Sequence, residues 1–131
     1  MMPEVLHPAK GSVRGDTGRC GHHAGLAAED GVAAEYGRRG HPVMARRWRG
    51  TGGELDLVMQ DGDGVIVVEV KKSRSFSRAL ERLTTRQIGR LVRAAEEFLG
   101  TQPRGALTDI RFDVALVNAR GEIRVIENAL A

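Results

Sequence analysis

The stretch from Gly53 to Ser73, GELDLVMQDGDGVIVVEVKKS, constrains this chain more than any other. It reads as two short apolar strands joined by an Asp/Gly turn, because D-G steps are favoured hairpin chemistry. Each strand carries acids that its apolar character does not explain. Asp56 lies between Leu55 and Leu57, and Glu69 ends the run Val65-Ile66-Val67-Val68, with Lys71 two residues on. An ionised carboxylate in such a run is costly unless it is paired or coordinated. Residues two apart on a strand share a face, with alpha carbons roughly 6.6 Å apart, so Glu69 and Lys71 point the same way. A hairpin through Asp61-Gly62-Asp63-Gly64 brings Asp56 beside Glu69. An Asp followed by Glu-x-Lys suits a metal-dependent phosphodiesterase, in which two carboxylates grip a divalent cation while the lysine faces the reacting phosphate. The spacing by itself leaves a solvated strand end equally open.

With 131 residues, 41% of them hydrophobic, the chain is expected to form one domain with its own core. That domain is expected over residues 24–131. Residues 1–23 are rich in Gly and Pro without a hydrophobic period, and are read as a flexible leader. Cys20-Gly21-His22-His23 lacks the second ligand cluster that structural zinc needs. A lone cysteine, no apolar run near the roughly 20 residues of a membrane span, and no signal-peptide core at Met1-Met2-Pro3-Glu4 lead to the expectation of a cytoplasmic protein without membrane association. The net charge of +3 is modest, but Lys71, Lys72, Arg74, Arg78, Arg82, Arg86, Arg90 and Arg93 are interrupted by one acid, Glu81. Such a band suits a polyanionic partner; a solvated face is the plainer reading.

The periodicity predicts a helix over residues 25–37, with Leu26, Val32, Ala33 and Tyr36 on one arc and Glu29 in its middle. That acid either points inward to a cation or is favoured by the helix dipole near the N-terminus. A strand follows from Val43 to Trp48. Arg46, Arg47 and Arg49 around Trp48 could contact a phosphate backbone, although a half-buried Trp packing on a helix is the commoner arrangement. Residues 73–82 are a loop or short helix. A second helix over residues 85–99 carries Ile88, Leu91, Val92, Ala95, Phe98 and Leu99 on its apolar arc, with Arg86, Arg90 and Arg93 opposite. Gln87 sits at the border of the two faces, able to reach the site or to complete a capping box with Thr84. Two strands, over residues 110–117 and 123–126, close the chain, and Asp113 is read as the structural partner of a nearby arginine. The fold class is α/β, a mixed sheet of about five strands with helices on both faces.

Four blocks in order carry a family resemblance: Gly25 to Ala33 with Glu29 as its acid, Arg47-Trp48-Arg49 with Gly53-Glu54-Leu55-Asp56-Leu57, Val67-Val68-Glu69-Val70-Lys71, and Arg111 to Val114. From about Gly25 onward the chain resembles the YraN-like family of uncharacterised bacterial proteins. These are relatives of archaeal Holliday-junction resolvases in the restriction-endonuclease-like superfamily. The resemblance implies a nuclease core of the PD-(D/E)xK type with Asp56, Glu69 and Lys71 as signature residues and Glu29 as an additional acid. It implies Mg²⁺, with Mn²⁺ as a substitute, held by Asp56, Glu69, Glu29 and the backbone carbonyl of Val70. Lys71 would position the attacking water; Lys72, Arg74, Arg46, Arg47 and Arg49 would hold flanking phosphates, and Gln87 would be accessory. The chain departs from many relatives at Ser73-Arg74, where a Lys-x-Arg ending is usual. The implied partner is nucleic acid, DNA in preference to RNA and structured or single-stranded in preference to a sequence, with a homodimer as in the resolvases. The alternatives are a nucleic-acid-binding protein of the same fold that does not cut, and a scaffold module whose acids pair with arginines.

Overall fold

A computed structural model describes residues 7–8 and 17–130, and the side chains of residues 25–130. Its elements in chain order are β1 (His7–Pro8), α1 (Thr17–Arg38), β2 (Val43–Arg49), β3 (Glu54–Asp61), β4 (Gly64–Lys72), α2 (Phe76–Glu81), α3 (Thr85–Leu99), a 3₁₀ turn (Gly105–Leu107), β5 (Ile110–Val117) and β6 (Glu122–Ile126). They form one mixed sheet in the order β1-β6-β5-β4-β3-β2. Five substantial strands match the expected number; the two-residue β1, paired antiparallel with β6, is a sixth that the sequence did not suggest.

Most of the expected leader lies outside the described residues. Within it, α1 starts at Thr17 rather than near residue 25. Gly18, Gly21 and Gly25 dilute both helix propensity and apolar period there, which hides the first turns from a pattern reading. The Cys20-Gly21-His22-His23 segment falls on these turns, and its side chains are outside the described residues.

β4 is the centre of the molecule. It pairs antiparallel with β3 and parallel with β5. Its run Val65-Ile66-Val67-Val68 is buried on both faces, as a central strand of a covered sheet requires. Ile66 and Val68 join Leu57, Met59, Val117 and Val125 beneath Val32 and Tyr36 of α1. Val65 and Val67 face the opposite layer, with Leu91, Ala95 and Phe98 of α3. Each such side chain contributes roughly 1.5–3 kcal/mol by leaving water. Residues 73–82 resolve into the short α2, capped by Ser75 and packed through Ala79 on Val114 and Leu116. Together α2 and α3 form the parallel crossover from β4 to β5. The β3–β4 turn has two residues between Asp61 and Gly64, with Gly62 at φ 59°, where a side chain would be strained.

Trp48 packs edge-on to Phe98 at 5.3 Å between ring centroids, the common arrangement for a half-buried indole. Asp113 is almost wholly buried and accepts from both Arg111 Nε (2.9 Å) and Nη2 (2.8 Å), from the Asn128 amide (3.0 Å) and from the Tyr36 hydroxyl. It is therefore a structural acid that ties β5 to α1 and to the C-terminal turn. Val92, expected on the apolar arc of α3, is 36% exposed, and Ala94 takes the buried position beside Ala95.

Candidate metal centre

The pairing of β3 with β4 runs from Asp61 opposite Gly64 to Leu57 opposite Val68, and stops there. The next pair in that register would be Asp56 with Glu69. Leu57 and Met59 belong to the layer under α1, whereas Leu55 belongs to the layer under α3. Residues 55 and 57 should share a face in a regular strand, so β3 turns over at Asp56. The neighbouring strand is irregular at the same level: Arg47, flanked by Arg46 opposite Leu57 and Trp48 opposite Leu55, has φ 46°. A left-handed backbone at a non-glycine residue costs about 1–3 kcal/mol and recurs at functional sites.

These distortions aim side chains into a cavity of about 470 Å³ between α1, the ends of β3 and β4, and the start of α3. Asp56, Glu69, Val70, Lys71 and Glu29 all line it, with Lys72, Arg82 and Gln87. Asp56 Oδ2 accepts from the Val70 amide at 2.9 Å, so a side chain does the work of a strand carbonyl where the ladder ends. Glu69 Oε2 accepts from Gln87 Nε2 at 2.9 Å and lies 3.1 Å from Lys71 Nζ. Burial, and then the charge of Asp56, push the Glu69 carboxyl up to about 8 from an ordinary 4.5, against the pull of Lys71. Two carboxylates thus share one low-dielectric spot with a single ammonium group beside them. That is the electrostatic situation a divalent cation relieves, and Mg²⁺ commonly takes only one or two carboxylates, filling its other positions with water and substrate oxygens.

Glu29 does not complete a third corner. It is buried and its pKa is raised, by desolvation first and by Asp56 second, so it senses the Asp56 charge. Both its oxygens, however, lie 3.2 Å from the Arg47 guanidinium. Among the described residues no three acids, histidines or cysteines are arranged to hold a metal ion. The expected meeting of three carboxylates is therefore reduced to two, because a strained arginine on β2 holds the third.

The residues expected to hold phosphates also divide. Lys72 is at the cavity. Arg46 pairs with Asp30 (2.9 Å), Arg47 with Glu29, and Arg49 with Glu54 (2.9 Å), each in a local ion pair. Arg74 is exposed and does not line the cavity; its carbonyl accepts from the Ala119 amide. Gln87 resolves both readings offered for it. Its amide is capped by Thr84 Oγ1 at 3.1 Å while its side chain reaches Glu69, so the capping box is only half formed. Arg82 was not singled out from the sequence. It donates to the Lys72 carbonyl at 2.9 Å and lines the cavity, and its place in the basic band was the only signal available.

The chain matches the model of uncharacterised protein family UPF0102 over residues 28–117. It is 54% identical over 115 residues to a UPF0102 protein of Cereibacter sphaeroides strain KD131, covering 88% of this chain and 98% of that protein. It is 54% identical over 108 residues to one of Ruegeria pomeroyi (82% and 88%), and 48% over 120 residues to one of Roseobacter denitrificans (92% and 93%). The chain belongs to the UPF0102 family, the bacterial family of the YraN-like resemblance. No described helix is long and apolar enough to cross a membrane.

Proposed function

We propose that the protein is a metal-dependent phosphodiester hydrolase of the restriction-endonuclease-like kind, acting on structured or single-stranded DNA. The observation that carries this reading is the juxtaposition of Asp56 and Glu69 at the broken end of the β3–β4 ladder, with Lys71 Nζ 3.1 Å from Glu69. Asp56, Glu69 and the Val70 carbonyl would hold Mg²⁺ or Mn²⁺. Such an ion, when bound, supplies Lewis-acid polarisation of a phosphate and a lowered pKa for water. The chain's own groups do the rest. The Val70 amide fixes the Asp56 carboxylate, and Gln87 fixes that of Glu69, so neither must reorganise when substrate arrives. Lys71 places a positive charge where negative charge grows on the phosphate, and orients a water beside it. Lys72 and Arg82 on the cavity wall attract the flanking backbone.

A second reading, binding without cutting, is favoured by the Arg47 fork on Glu29, which withholds one acid from the cavity. Incubation of branched and single-stranded DNA with protein and Mg²⁺ or Mn²⁺ separates the two. Hydrolysis is expected with the native protein and not with Asp56→Asn, whose amide oxygen still accepts from Val70. Metal-independent binding with intact DNA would support the second reading.

A further inference from the structure

A second cavity, of about 390 Å³, is lined by residues 50–53 together with Arg49, Glu54 and Arg90. The loop Gly50-Thr51-Gly52-Gly53 lies flat against α3. A Cβ at Gly53 would sit 3.1 Å from the Arg90 carbonyl, and one at Gly52 3.0 Å from Arg93 Cβ. Glu97 pins the loop from below, accepting from the Thr51 amide (2.9 Å), the Thr51 hydroxyl (3.0 Å) and the Gly52 amide (2.7 Å). Two guanidinium-bearing residues therefore border a rigid floor. Arg90 is exposed and makes no ion pair among the described residues. Arg49 holds Glu54 through a side chain that is 83% exposed, a contact of little worth in water and easily shared with an incoming anion.

The cleft adjoins the carboxylate pair along two elements. Arg90 lies one turn of α3 beyond Gln87, which touches Glu69, and Glu54 lies two residues before Asp56 on β3. The offsets are about 4.5 Å along the helix and about 6.6 Å along the strand, the scale of a nucleotide step.

We propose that this cleft is a phosphate subsite, in which Arg90 and Arg49 grip the sugar-phosphate backbone of a nucleic acid beside the carboxylate pair. Guanidinium groups match phosphate oxygens two at a time. Apart from the two arginines, whose forks suit phosphate, the cleft offers a backbone floor, a Thr51 hydroxyl engaged by Glu97 and one acid paired with Arg49, so its grip is on the backbone rather than on a sequence. The choice of ligand rests on the phosphodiesterase reading; the binding does not require that cleavage occur.

The test is equilibrium anisotropy in EDTA with a short fluorescein-labelled duplex bearing a single-stranded overhang, titrated across salt. Arg90→Gln should weaken binding and lower the log–log salt slope by about 0.9, the loss of one neutralised phosphate. Arg49→Gln should do the same. Arg120→Gln, on the exposed β5–β6 turn, should change neither. Unaltered affinity and slope in Arg90→Gln, with the native protein binding, would overturn the subsite alone. Absence of any binding by the native protein would overturn it together with the nucleic-acid reading. Weakened binding in Arg90→Gln by a protein that never cleaves with metal would uphold the subsite and remove the hydrolase.

Discussion

Glu69 is where one substitution reads the electrostatics of the cavity. Its carboxyl stands at about 8 in the folded chain, against an ordinary 4.5, because it is buried beside Asp56. Between those values the folded chain keeps a proton that the unfolded chain has released. The associated stability is complete below about pH 4.5 and is lost as pH climbs through about 8. At about 1.4 kcal/mol per pH unit, the loss across that window is about 5 kcal/mol. This figure is a ceiling, since Lys71 and water at the cavity mouth can relax around the new charge. Glu69→Gln removes the titration while keeping an amide oxygen to accept from Gln87. Urea unfolding in EDTA at about pH 5 and about pH 9 measures the difference. The native protein should lose several kcal/mol relative to the variant over that interval, the comparison cancelling the titrating groups remote from the cavity. Parallel behaviour of the two proteins, or a native protein that gains on the variant as pH rises, would refute the reasoning.

Other consequences follow from the same contacts. If a cation displaces the Glu69 proton, calorimetry near neutral pH in buffers of different ionisation enthalpy should show close to one proton released per Mg²⁺ bound; uptake without release would count against Glu69 as a ligand. Tyr36→Phe keeps the buried ring but removes one donor from Asp113, and should cost about 1.5–3 kcal/mol in urea unfolding; an unchanged midpoint would show that the Tyr36 hydroxyl adds nothing to what Arg111 and the Asn128 amide already give Asp113. Glu97→Ala should raise hydrogen exchange at the Thr51 and Gly52 amides without affecting the core strands; unchanged exchange would show that the loop is held by its glycines alone.

The hairpin and its acids were legible because alternation and turn chemistry are local: Asp56, Glu69 and Lys71 come together through one register and a two-residue turn. Four consecutive β-branched residues likewise marked β4 as an apolar strand, while its place between β3 and β5 depends on long-range pairing. What remained hidden is long-range. Nothing local shows that Arg47 takes a left-handed backbone and captures Glu29 from another element. A helical wheel puts Arg90 on the outer face of α3, and only the lie of the 50–53 loop turns that face into the wall of a cleft. The early start of α1 escaped because glycine weakens the pattern on which a reading depends.

The account turns on Asp56 and Glu69 gripping the same cation at the end of β4. Anomalous diffraction from crystals soaked in Mn²⁺ measures this directly. One manganese peak is expected, within coordination distance of a carboxylate oxygen from each residue and of the Val70 carbonyl. Soaked crystals that show no peak between the two carboxylates, with Glu69 still bound to Lys71 and Gln87, would contradict it.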